Sequence, residues 1–202
     1  MIDTSRRAML HAIETRLRDH MSGAPKRLRH VLGVSQTAAE LARIYGVDEF
    51  EACAAGLLHD WDKVLTPDET LARAAELGVS LDGPADRVVG LLHGPLAARE
   101  LPALFPELPA AVFQAVDRHT VGAIDMMPLD MVVFIADAIE PGRVGAYADE
   151  LRAQVGEVTL DELFFSCFSH GITYVVSTGR YLYPTAVDIY NTYAIRRTLS
   201  ER

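Results

Sequence analysis

Long apolar runs are missing from this 202-residue chain. No stretch reaches the roughly 18–20 apolar residues that a membrane span needs, so no membrane partner is expected. The opening MIDTSRRAMLHAIETRLRDHM is broken by charges throughout and does not read as a signal peptide. The cytoplasm is the expected location. Cysteine is scarce: Cys53 and Cys167 stand alone, both in apolar segments, which predicts buried free thiols rather than a disulfide. Positive charge is in deficit, with 19 Lys and Arg against 28 Asp and Glu and a formal net charge of −9. A nucleic-acid polymer is therefore an unsuitable partner, because neutralising its phosphates takes a basic surface. A small phosphorylated ligand is not excluded, since metal ions and a few local cations can invert the field inside one pocket. Strand patterns are also lacking. Val132-Val133 and Tyr174-Val175-Val176 are short and do not alternate, so no sheet is predicted.

Helical periodicity is present nearly from end to end. A first amphipathic helix runs over 4–21, and Ser22-Gly23-Ala24 breaks it. Pro25 suits the first turn of a second helix, in which Leu28, Val31, Leu32, Ala38, Leu41 and Ala42 recur at three- and four-residue steps until Gly46. A third helix, capped by Asp48, reaches about Asp60, and Thr66-Pro67-Asp68-Glu69 opens a fourth that ends at Gly78. Further helices are predicted over about 84–100, 108–119, 128–140, 145–155, 159–179 and 184–200. The expectation is one all-α domain over 1–202, a helical bundle with residues 1–21 packed on its outside.

Chemistry gathers where these helices end. The apolar run Ala52–Leu58 delivers His59 and Asp60 side by side. Val88–Leu92 leads into His93, Ala110–Val116 leads to His119, and Met131–Ala136 leads into Asp137. His30 directly precedes Val31-Leu32 on the second helix. One such histidine is usually an ordinary core residue, but four histidines and two aspartates converging on one core carry a large desolvation cost. Two divalent metals would satisfy all six. Imidazole with carboxylate suits iron, manganese or zinc, and without a thiolate in the set softness does not choose among them. Asp60 has two oxygens and can bridge two metals. His30, His59 and Asp137 would complete one site, and His93 with His119 the other.

In this order the residues resemble the HD-domain phosphohydrolases. The stretches KRLRHVLGV at 26–34, LLHD at 57–60 with Lys63, HGP at 93–95, RHTVG at 118–122 and ADAIEPGR at 136–143 together look like the YqeK family of bacterial symmetrical diadenosine tetraphosphate hydrolases. The resemblance covers about residues 24–195. It implies a single HD-domain bundle and a di-iron-type centre held by His30, His59, Asp60, His93, His119 and Asp137, with manganese or zinc as the other metals considered. It implies cleavage of diadenosine tetraphosphate (Ap4A) at its middle to two ADP through a metal-activated hydroxide, and a possible homodimer.

A polyphosphate needs cations along its length. Lys63 lies three residues after Asp60, Arg143 follows the Asp137 helix, and Arg27 is one helical turn before His30. We take Asp60 and Lys63 as catalytic, and Arg27, Lys63 and Arg143 as substrate-binding. The plainer alternatives are that Lys63 pairs with Asp62, that Arg143 anchors Glu140, and that Arg27 is solvated. Glu140 can also support a ligand histidine. Trp61 and Asp62 depart from the small or apolar residues expected between His-Asp and Lys in this family. Trp61 suits core packing or stacking on a base. Asp62 suits a nearby base or a charge that repels phosphate. Competing functions are an HD-type hydrolase of guanosine tetraphosphate, a nucleoside monophosphate or a cyclic nucleotide, and a non-catalytic nucleotide sensor. The complete ligand set argues against the sensor.

Overall fold

A computed structural model describes residues 2–200. Its elements are α1 (Thr4–His20), α2 (Pro25–Tyr45), α3 (Glu49–Leu58), α4 (Pro67–Leu77), α5 (Ala85–Val88), α6 (His93–Leu104), α7 (Ala110–Arg118), α8 (Pro128–Ile139), α9 (Ala146–Gln154), α10 (Leu160–Ser177) and α11 (Thr185–Ser200). Short 3-10 turns cover Trp61–Val64 and Val89–Leu91. Among the described residues there is no strand, and the fold is all-α.

The punctuation follows local chemistry. The Asp48 side chain accepts from the Glu51 N–H, and Thr66 forms a capping box with Glu69. Gly46 and Gly78 close α2 and α4 with φ of 74° and 65°, a region that favours glycine. One prediction is corrected. The helix expected over 84–100 is broken, with a new helix starting at His93. Pro95 explains the break. It has no N–H to donate, and its ring would clash with the carbonyl four residues back, at Leu91, if the helix ran through. The third helix also stops at Leu58, so His59 and Asp60 lie just beyond it.

The core forms around α8, whose Leu129, Met131, Val132, Val133, Ile135, Ala136 and Ile139 are all buried. Helices α2, α3, α7 and α10 pack around it. Helix α1 lies against α3, but Ile13, Leu17 and Met21 are as buried as any core residue. On the far side Phe164 of α10 meets Phe134 and Tyr193 at ring separations of 5.2 and 4.9 Å. The Tyr193 hydroxyl accepts from the Met126 N–H at 3.1 Å, which ties α11 to the start of α8.

Two close backbone approaches bring helix ends together. A Cβ on Gly56 would lie 2.7 Å from the Ser35 Cα, so α3 runs against α2 with no room for a side chain. A Cβ on Gly94 would lie 2.9 Å from the Val116 carbonyl oxygen and 3.1 Å from the His119 ring. The first contact sets the end of α3 against the middle of α2. The second sets the start of α6 against the end of α7.

Truncating Phe164 to Ala removes a fully buried ring that joins α8, α10 and α11. We expect a loss of about 3–5 kcal/mol, read as a lowered urea midpoint. A loss below about 1 kcal/mol would mean that the ring cluster does not fasten the C-terminal helices.

Candidate metal centre

The structure brings all six sequence-selected histidines and aspartates together. His30 sits in the second turn of α2, His59 and Asp60 follow α3, His93 opens α6, His119 follows α7 and Asp137 is near the end of α8. Asp60 lies between them. Its Oδ2 is 3.8 Å from His30 Nε2 and 3.6 Å from His59 Nε2, while its Oδ1 is 3.2 Å from His93 Nε2 and 3.8 Å from His119 Nε2. Asp137 Oδ1 is 3.0 Å from His30 Nε2. Two triads have donor atoms within 4.8 Å of one another: His30, His59 and Asp60, and Asp60, His93 and His119.

The outer edge of each ring explains why Nε2 faces inward. His59 Nδ1 donates to the Gly56 carbonyl at 2.8 Å, His93 Nδ1 to the Gly90 carbonyl at 3.0 Å and His119 Nδ1 to the Val116 carbonyl at 2.6 Å. Each acceptor lies three residues back, at a helix end where carbonyls lack helical partners. His30 has no such carbonyl and donates Nδ1–H to Glu140 Oε1 at 3.0 Å. With Nδ1 protonated, Nε2 presents a lone pair, the form that binds metal.

The interior therefore holds more acceptors than protons. Among the described residues no group hydrogen-bonds His30 Nε2 or His59 Nε2, although both are buried. His93 and His119 Nε2 are 3.0 Å apart, with the Thr120 hydroxyl 3.1 and 3.0 Å from them. One hydroxyl proton can satisfy only one of the two. Converging lone pairs and carboxylates of this kind fit divalent cations.

For His93 and His119 the electrostatics agree. Burial, then the neighbouring His59 and His93, push His119 down to about 3. Burial also lowers His93. Both rings are neutral near pH 7. Burial works to raise Asp60, yet His59, His93 and His119 outweigh it and hold the carboxyl well below the usual range. Asp137 is held low in the same way by His30 and His59. For His30, burial is outweighed by Asp137 and Glu140, and its pKa rises.

Cations ring this centre. Arg27 Nη1 donates to Asp60 Oδ2 at 2.6 Å. Arg143 donates Nε–H to the Asp137 carbonyl at 2.7 Å and Nη2–H to Asp137 Oδ1. Lys63 Nζ donates to the Gly90 carbonyl at 3.1 Å and lies 3.1 Å from His93 Nδ1. Lys63 has no ion pair with Asp62. Arg143 pairs with Asp137 and not with the Glu140 side chain, and Arg27, though partly exposed, pairs with Asp60. A cleft of about 1460 Å³ opens over these cations, with Lys26, Arg29 and His30 also on its walls.

The two departures also find places. Trp61 is buried, stacked on His20 and edge-on to Phe105. Asp62 is buried, and burial followed by the charge of Glu100 pushes its carboxyl up to about 7.

Glu140, offered in the sequence as a support for a ligand histidine, accepts from His30 and, at 2.6 Å, from the Gly142 N–H. Sequence reasoning missed the other supports. A Cβ on Gly33 would lie 2.7 Å from Glu140 Oε2, so this glycine makes room for the carboxylate. Arg152 donates to the carbonyls of Ile139, Glu140 and Arg143, stitching the loop that carries Glu140. Arg118 pairs with buried Asp130 at 2.9 Å and fastens the end of α7 to the start of α8. The Arg-His-Thr motif signalled Arg118 and Thr120 without their roles, and nothing local signalled Arg152.

A family model described as "HD domain" matches residues 27–142. A Halalkalibacterium halodurans protein named symmetrical bis(5'-nucleosyl)-tetraphosphatase is 32% identical, over 82% of this chain and 87% of its own length. A Staphylococcus aureus protein of the same name is 30% identical, over 83% and 87%. A crystal structure described as a predicted HD superfamily hydrolase involved in NAD metabolism, from Clostridium acetobutylicum, superposes with a TM-score of 0.82. It is 31% identical and covers 90% of this chain and 97% of its own.

Replacing Glu140 by Ala frees the His30 ring and removes its acceptor. Metal affinity should fall about 10–100-fold with the helical circular dichroism unchanged, and Gly33→Ala should fall in the same direction. Metal titration of the purified variants checks this, and wild-type affinity in Glu140→Ala would remove the orienting role.

Proposed function

This chain belongs to the HD-domain family, and we propose that it is a metal-dependent hydrolase that cleaves Ap4A symmetrically to two ADP at a dinuclear centre. The observation that carries the reading is the pair of donor triads sharing Asp60 beneath a cleft lined by cations. The names of the relatives at 32% and 30% identity support the substrate.

His30, His59 and Asp137 would hold one metal, His93 and His119 the other, with Asp60 between them. When bound, such a pair supplies a water acidified toward neutral pH and positive charge for a phosphoryl oxygen. Iron is our first assignment, with manganese and zinc as alternatives. The chain's own residues do the rest. Arg27 and Arg143 join the cleft wall to the carboxylates, Lys63 joins it to His93, and all three would turn toward an incoming polyphosphate. Guanidinium forks suit bidentate phosphate contacts, and the compact ammonium of Lys63 suits a single charged oxygen. Burial lowers the Lys63 pKa, so its ammonium is poorly solvated and its contact with a phosphate oxygen gains strength. The cleft is larger than the roughly 300–1,000 Å³ of a pocket for one drug-sized ligand, which suits a ligand built from two nucleotides. We place the protein in the cytoplasm, with a homodimer as its proposed assembly.

Incubation of metal-loaded protein with Ap4A should yield two ADP by chromatography; AMP plus ATP would refute the reading. Prior removal of metal by a chelator should abolish turnover, and adding metal back should restore it. Asp60→Ala should be inactive and bind less metal. Lys63→Ala should lose about 10²-fold in kcat/KM on Ap4A with far less effect on a small neutral ester. Equal losses on both substrates would move Lys63 away from the polyphosphate.

A further inference from the structure

His20 is the last residue of α1 and lies outside the matched HD segment. Its ring stacks on Trp61 with centroids 4.1 Å apart and planes 4° apart. Its Nε2 donates to the Trp61 carbonyl at 2.9 Å, which fixes the ring edge. Trp61 is itself buried and braced edge-on by Phe105 at 5.9 Å. Leu17 and Met21, flanking His20, are fully buried and hold this end of α1 in place. His20 is nevertheless exposed, and it lines the same cleft as Lys63, Arg27 and Arg143. One face of the imidazole is thus backed by an indole, and the other is available to the cleft.

We propose that the His20 ring, backed by Trp61, is the stacking platform for one nucleobase of the substrate. The inference rests on the nucleotide reading given above and names the subsite that takes the base. The wall of the cleft changes character along its length. Around His20 it is made by the small residues Gly23, Ala24 and Pro25, and a Cβ added at Gly23 would meet nothing within 4 Å. Around Lys63 and Arg143 it is cationic. A nucleotide has the same two ends, a flat base and an anionic phosphate chain. The carbonyl that anchors His20 belongs to the residue directly after Asp60, so the platform and the proposed centre are neighbours in the chain. In a substrate cut at its middle, a sugar and two phosphate groups join the base to the cleaved bond. An aromatic platform accepts any base because every base has a π-face, with purines gaining most area. Trp61, unusual at its position, thereby acquires a role: it stiffens the platform from behind and does not touch the ligand.

The test uses full-length, metal-loaded protein and compares binding of ADP with binding of pyrophosphate by calorimetry. His20→Ala should weaken ADP about tenfold and leave pyrophosphate unchanged, while His20→Phe should keep ADP affinity. Trp61 is the only tryptophan, so its fluorescence should shift with ADP in the wild type and in His20→Phe, and not with pyrophosphate. Wild-type ADP affinity in His20→Ala overturns the platform. So does an equal loss for ADP and pyrophosphate, the mark of a merely structural residue, or a loss in His20→Phe as large as in His20→Ala. Two ADP from Ap4A together with unaltered ADP binding in His20→Ala would sink the platform alone. A tenfold loss in His20→Ala without symmetrical cleavage would sink the cleavage reading alone.

Discussion

Asp60 is one carboxylate set between two pairs of imidazoles, and the arrangement around it calls for positive charge. Its two oxygens face different partners, His30 and His59 on one side and His93 and His119 on the other. Every one of those rings spends its Nδ1 proton outward. What remains inside is a set of lone pairs and a carboxylate, buried among apolar helices. Unpaired groups of this kind cost several kcal/mol each. A fold that keeps them has a cation to give them, and the rest of the structure can be read as the means of holding that set open.

Holding it open falls to backbone contacts. The glycine contacts of α3 with α2 and of α6 with α7 bring histidines from distant parts of the chain together without side chains between them. Arg118 with Asp130, and Arg152 with three carbonyls, then lock α7, α8 and the loop after α8. An ion pair such as Arg118 with buried Asp130 adds little net stability but penalises alternative packings, because breaking it leaves a charge unpaired. A loose bundle would retain the helices and lose the spacing of about 3 to 4 Å on which the centre depends.

Much of this was legible in the sequence because helix boundaries and ligand types are local. Pro25, Gly46, Asp48, Thr66 and Gly78 mark their helix ends by their own backbone chemistry, and the structure puts the ends there. The six ligand candidates were visible because His and Asp stood at the ends of apolar runs, an expensive placement. The break before His93 was legible in principle, since Pro95 forbids the through-helix, but the apolar run of 88–92 masked it. His20, and the choice of partner for Glu140, were harder for a different reason. Their roles exist only through partners far off in sequence: His30 lies 110 residues from Glu140, and Trp61 lies 41 residues from His20. Periodicity carries no information about such pairs.

An acidic chain with a basic cleft looks contradictory until the two scales are separated. The charge of −9 is spread over the whole molecule and is screened beyond about 8–10 Å at ordinary ionic strength. Within the cleft the relevant charges are closer than that. Arg27 and Arg143 reach the carboxylates of the centre directly, Lys63 lies beside the His93 ring, and the proposed metals add more. The same guanidinium groups therefore have two possible partners, the ligand carboxylates and a phosphate chain. Carboxylates engaged by metal attract Arg27 and Arg143 less, which leaves their donors free for phosphate. On the proposed reading, metal binding and polyphosphate binding would be coupled through two arginines: a loaded centre would release them toward phosphate, and the carboxylates that hold them here would otherwise keep them.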